Sequence, residues 1–174
     1  MVNYEPASGP PDYQGPFGSD VFTRAYIEWW RGSVPFKVYQ KILTFSSTKR
    51  KELIDITREV ERAVAESGVE EGTCMVFVPH ATAAVIANEH EHGLMSDILR
   101  ALTELVPPDK GWEHNKIDDN ADAHILASII GPSRCFPVSG GRLVRGTWQN
   151  VFLVELDGPR HSRKVIVTVM GEGK

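Results

Sequence analysis

Two cysteines in 174 residues cannot build a disulfide framework. Cys74 sits in an apolar, strand-like run and Cys135 near another, so both are expected as free thiols in a packed interior. Long apolar runs are missing too: none approaches the ~20 residues of a membrane-spanning helix. The first residues carry neither the basic nor the apolar region of a signal peptide, which predicts a cytoplasmic protein. Positive charge is not in excess. The net charge is −4 and the pI near 5.9, which favours neither nucleic acid nor a membrane surface as partner. There is no phosphate loop, dinucleotide-binding fingerprint or G-x-S-x-G elbow, which removes several common enzyme classes.

What remains has the length of one domain with a sizeable core. Residues 1–20 are dense in proline and glycine and predict a flexible extension. Phe22, Tyr26, Trp29 and Trp30 follow at roughly helical spacing, so residues 21–36 read as a segment that docks on the body or on a neighbouring subunit. A single domain over 37–174 follows. Residues 37–45 alternate as a strand does. Leu53, Ile56, Val60, Ala63 and Val64 form an apolar stripe, predicting one helix after Ser46-Ser47-Thr48 to Glu66, stopped by Gly68. Strands are expected at 73–78 and over ATAAVIANE, and a helix over 94–106, ended by Pro107-Pro108. Further strands are expected at 135–138, 147–156 and 164–170. Asp157-Gly158-Pro159 is strong turn punctuation, predicting a hairpin of the last two with His161 in its turn. The order of elements indicates an α+β fold with a mainly antiparallel sheet.

Residues 115–133, NKIDDNADAHILASIIGPS, are the chemical centre of the chain. Asp118, Asp119, Asn120, Asp122 and His124 fall within seven residues at the start of a short predicted helix, whose apolar run ends at Gly131-Pro132. His124 lies off the buried stripe of Ile125, Leu126, Ile129 and Ile130, on an uncrowded face. A helix N-terminus with such neighbours suits a metal or an anion. His80, His114 and His124 lie at structural discontinuities. Three separate elements can supply an open zinc site, although ordinary hydrogen-bonded histidines fit the same spacing. The His90-Glu91-His92 patch reads as an exposed turn before a helix. Glu89 is either a base or a strand-end charge, and Arg142 either a phosphate clamp or surface decoration.

Several phrases resemble the YjbQ family at collinear spacing: VFVPHATAAVIANE, His114-Asn115, NADAH at 120–124, GPS at 131–133, and GRLVRGTWQNVFLVELDGPR. The resemblance spans about residues 37–172. It implies an α+β domain like a β-sandwich with flanking helices, assembled as a trimer. It also implies a metal or anion site near subunit boundaries and, in some members, a secondary thiamine phosphate synthase activity. Carried over by motif, His80, His114 and His124 are expected metal ligands for a divalent ion, zinc or magnesium. Glu89, Asp119, Asp122 and Arg142 are expected in catalysis, with Asn88, Asn120, Thr147, Trp148 and Gln149 on the substrate. Ala81 departs from the threonine usual there. The resulting expectation is a metal-dependent enzyme on phosphorylated small molecules. The alternatives are metal-assisted phosphoester hydrolysis or a non-catalytic trimeric metabolite-binding protein. The expected partners are a small phosphorylated substrate or anion and further copies of the chain.

Overall fold

The computed structural model describes residues 35–173. The expectations for the extension and for the docking of Phe22, Tyr26, Trp29 and Trp30 lie outside the described residues. Among the described residues, eight strands and three α-helices follow in chain order: β1 (Phe36–Phe45), β2 (Glu52–Asp55), α1 (Thr57–Ser67), β3 (Val69–Phe77), β4 (Ala83–Asn88), α2 (His92–Leu105), α3 (Ala121–Ile130), β5 (Ser133–Ser139), β6 (Arg142–Leu143), β7 (Asn150–Glu155) and β8 (Arg163–Gly173). A 3-10 turn, Glu113–Lys116, stands between α2 and α3. The fold is α+β, as expected. Its strands form two antiparallel sheets, ordered β1-β8-β3-β5-β6 and β2-β7-β4.

β7 explains how the layers stack. Its side chains alternate between faces, as strand geometry requires. Val151 and Leu153 enter a core with Val165, Val167 and Val169 of β8, Val76 of β3, Ile56 just before α1, and Val60, Ala63 and Val64 of α1. Phe152, Val154 and Leu156 enter a second core with Leu126 and Ala123 of α3, Val106, and the α2 residues Ile98 and Leu102. The small sheet is thus covered on both faces, which is why the 151–154 run is continuously apolar. No helix among the described residues is long and apolar enough to cross a membrane.

Two local expectations are corrected. The stripe from Leu53 to Val64 is not one helix: Leu53 lies on β2 opposite Val154 of β7 and belongs to the second core, and α1 starts only at Thr57. The expected hairpin of the last two strands is absent, because β7 and β8 lie in different sheets. Asp157-Gly158-Pro159 is instead a crossover between layers. There Gly158 N donates to the Arg50 carbonyl (2.8 Å), and a Cβ on Gly158 would stand 2.2 Å from the Lys49 carbonyl oxygen. Glycine is needed for that approach rather than for a solvent-exposed turn. By contrast Gly68, at φ +64°, ends α1 in the left-handed conformation as expected.

Candidate functional site

One end of the sandwich gathers much of the unusual chemistry. Ala121 starts α3, its backbone N–H donating to Asn115 Oδ1 (3.1 Å). The side chain of Asn120 occupies the cap position but does not cap the helix. Its Nδ2 donates to Asp118 Oδ2 (3.1 Å) and Asp157 Oδ2 (3.2 Å), while its Oδ1 faces His114 Nε2 at 3.2 Å. Carboxylates only accept, so the amide orientation is fixed, and Oδ1 must take a proton from His114 Nε2. In its neutral form His114 therefore keeps a bare Nδ1. The His124 ring meets it edge to face, centroids 5.0 Å apart.

Asp157 continues the network. The same Oδ2 accepts from Arg160 Nη2 (2.6 Å), and the Asp157 carbonyl accepts from Arg160 Nε (3.0 Å). Burial pushes the Asp157 carboxyl up, but Arg160 and Asn120 outweigh it and hold it below the usual range. Arg160 N donates to Ser47 Oγ (2.8 Å), and that hydroxyl donates to Glu155 Oε2 (2.9 Å). Glu155, fully buried at the end of β7, is gripped by Arg163 at the start of β8, which also reaches Thr82 Oγ1 (3.0 Å). A paired charge of this kind joins the two sheets where the crossover leaves them. His80 closes the series: its Nε2 accepts the Lys164 backbone N–H at 2.8 Å.

The remaining candidates are distributed. Asp122, 1% exposed, has no well-directed hydrogen bond; its charge is balanced by Lys51 Nζ at 2.8 Å and Arg50 at 3.6 Å. Asp119 is exposed and its carbonyl accepts from Arg50 Nη2 (2.6 Å). Arg142 lies on β6 at the far end of the large sheet from Arg163. Asn88 ends β4, where it pairs with Asn150, and Glu89 follows the strand. Thr147, Trp148 and Gln149 form the exposed turn leading into β7. From Asn150 to Glu155 is roughly 17 Å of strand, so these residues and the His114–His124 corner occupy opposite ends of β7. His80, His114 and His124 form no common ligand set: among the described residues no group of three or more His, Cys, Asp or Glu could hold a metal. Asp119 and Asp122 stand at the start of α3 beside this corner, whereas Glu89 and Arg142 lie away from it, just after β4 and on β6. Sequence reasoning missed Asp157, Arg160, Ser47 and the Glu155–Arg163 pair. A buried carboxylate five residues into an apolar strand and an arginine opening the next were the available signals.

Comparison with known proteins agrees with this architecture. Residues 41–172 match the family model described as UPF0047 protein YjbQ-like. A UPF0047 protein of Archaeoglobus fulgidus is 46% identical over 128 residues, covering 74% of this chain and 98% of its own length. YugU of Bacillus subtilis, also a UPF0047 protein, is 39% identical, with 75% and 98% covered. The crystal structure of a Sulfolobus solfataricus protein, described as YbjQ-like and of unknown function, superposes with a TM-score of 0.79. It is 53% identical and covers 79% of this chain and 100% of its own. The expected metal-dependent enzyme with thiamine phosphate synthase activity is corrected by these findings, together with its hydrolase alternative. The relatives carry only the name of a family whose function is unknown, and none is described as an enzyme. By sequence and by structure, the chain belongs to the UPF0047 (YjbQ-like) family.

Proposed function

We propose that the His114–His124 corner recognises a small anion, with Arg160 as its charged anchor. The observation that carries this reading is the shared Asp157 oxygen, which holds Arg160 at 2.6 Å and, through Asn120, sets His114 on the same rigid frame. Arg160 spends Nε and Nη2 on Asp157 and retains Nη1 for a ligand; its side chain is 53% exposed. Arg50, 43% exposed, adds a second guanidinium beside the α3 N-terminus. Imidazoles that become donors on protonation would complete a polar cradle.

Titration of the full chain with inorganic phosphate, followed by the His114 and His124 ring signals in NMR, tests this. Arg160→Gln should weaken binding about tenfold or more, the worth of one charge-assisted hydrogen bond. Ring signals that do not respond to phosphate, or equal affinity in the variant, would refute the reading.

Self-association is proposed as well, as the trimer that the family resemblance implies. It is supported by the outer face of the large sheet, where Phe36, Val38, Ile42 and Met75 are exposed. The free thiols Cys74 and Cys135 support a cytoplasmic location.

A further inference from the structure

Asn120 stands at the cap position of α3 but leaves the helix uncapped, and its amide is spent sideways instead. Nδ2 carries two protons and donates both to carboxylates, Asp118 Oδ2 (3.1 Å) and Asp157 Oδ2 (3.2 Å). Oδ1 is left to face His114 Nε2 at 3.2 Å, so that nitrogen is the donor. Asn120 and Asp157 are buried, 5% and 8% exposed, while the ring they orient is open to solvent. A helix start ordinarily gains from its cap residue. Here that gain is forgone, and a buried amide fixes one tautomer of one histidine.

With Nε2 committed to Asn120, a ligand at this ring meets only Nδ1, which in the neutral ring is a lone pair and an acceptor. Arg160 donates to the same Asp157 oxygen that holds Asn120 (2.6 Å), so guanidinium and imidazole are joined through one carboxylate oxygen and one amide. The other charged groups of the neighbouring elements have their own partners. Arg50 reaches the Asp119 carbonyl and Asp122, and its charge is felt at Asp157. Lys51 pairs with Asp122, and Lys116 with Glu113 on the 3-10 turn. Asp118 accepts from Asn120, and its charge is felt at Arg160. His124 meets the His114 ring only edge to face, centroids 5.0 Å apart. Among the described residues, no donor fills His114 Nδ1.

We propose that this corner is specific for an oxyanion that carries its own hydroxyl, inorganic hydrogen phosphate, and discriminates against sulfate, which matches it in charge and shape but has no proton. The inference rests on the anion reading above. Arg160 Nη1 donates to an anionic oxygen, and the P–O–H group donates to His114 Nδ1. Sulfate sets lone pair against lone pair there, unless the ring first takes a proton from water. No covalent bond of either anion forms or breaks. Asn120 acts as the positioning residue: by filling Nε2 it makes the outward nitrogen an acceptor. A site built to hydrogen-bond a hydroxyl rejects an analogue that lacks it far more strongly than one that merely attracts charge.

The test is calorimetric titration of the full chain with phosphate and with sulfate at pH 8.5, where both are dianions and an imidazole in water is neutral. Phosphate should bind about tenfold or more tightly than sulfate. In His114→Phe, which removes the acceptor, the two anions should bind alike. A second measurement needs no variant. Lowering the pH of the wild type toward 6 should strengthen sulfate binding, with about one proton taken up per sulfate, seen as a heat that depends on the buffer. Phosphate at pH 8.5 should take up none. Equal affinities at pH 8.5, with binding still impaired in Arg160→Gln, would overturn the specificity and leave the anion reading standing. No phosphate binding at all, or unchanged affinity in Arg160→Gln, would overturn both. A preference for phosphate that survives in His114→Phe would place the acceptor elsewhere and refute the proposal.

Discussion

His80 accepts a backbone N–H with the one nitrogen that a second proton would occupy. Burial, then the charge of Arg163, pushes its pKa below the ordinary 6.5. The unfolded chain therefore takes up this proton at a higher pH than the folded chain does. The stability due to neutral His80 is fully present above about pH 6.5 and is lost as pH falls from there through the lower folded value. Urea unfolding at pH 7.5 and pH 5.5 should show a loss in the wild type. In His80→Gln, whose amide oxygen can accept the same N–H, that loss should be smaller; an identical loss would mean that His80 does not carry it. The carboxyls of Asp55, Glu155 and Asp157, all held below their usual values, add a second decline in stronger acid with the same sign.

At the scale of elements, the amphipathic segments were legible because each buries one stripe against one layer. β1, β4, α2 and the Gly68 stop of α1 follow from period and punctuation alone. β2 was not legible. Leu53 falls in helical phase with Ile56 and Val60, yet it faces a different core, and no periodicity within a segment reports which layer a side chain enters. Asn120 gave the right helix start for a different reason, since its side chain serves His114, Asp118 and Asp157 rather than the helix. Of the site, the NADAH histidine and its partner His114 were readable. The Asp157–Arg160 frame was hidden because Asp-Gly-Pro looks like a solvent-exposed hairpin turn. Gly158→Ala distinguishes the two readings. At a hairpin tip it would be nearly neutral. In the crossover its methyl group meets the Lys49 carbonyl oxygen and Ser47 Oγ, so thermal or urea unfolding should show a loss of about 1–3 kcal/mol.

For the whole molecule, the apolar runs of β7 and β8 are buried in two cores that both lie within one chain. The surface left open is different. On the outer face of the large sheet, Ile42 stands opposite Ile166 and Val38 opposite Met170, continuing across β3 through Phe77 and Thr73. Exposed apolar faces of this kind mark interfaces. Light scattering at micromolar concentration should find an oligomer, a trimer in the simplest case. Ile42→Lys with Val38→Lys should shift it toward monomer without loss of the fold. A wild-type monomer would exclude the assembly.

β8 is the final strand in chain order, yet it lies between β1 and β3 in the large sheet. Phe36 is paired with Glu172, so strand partners stand 136 positions apart along the chain. During synthesis β1 and β3 emerge early and must wait for β8, with apolar side chains uncovered meanwhile. Sheet closure is thus set by the slow search of distant segments rather than by any local helix. The Glu155–Arg163 pair spans only 8 positions, so the strand that arrives last brings with it the buried charge that stitches the two layers.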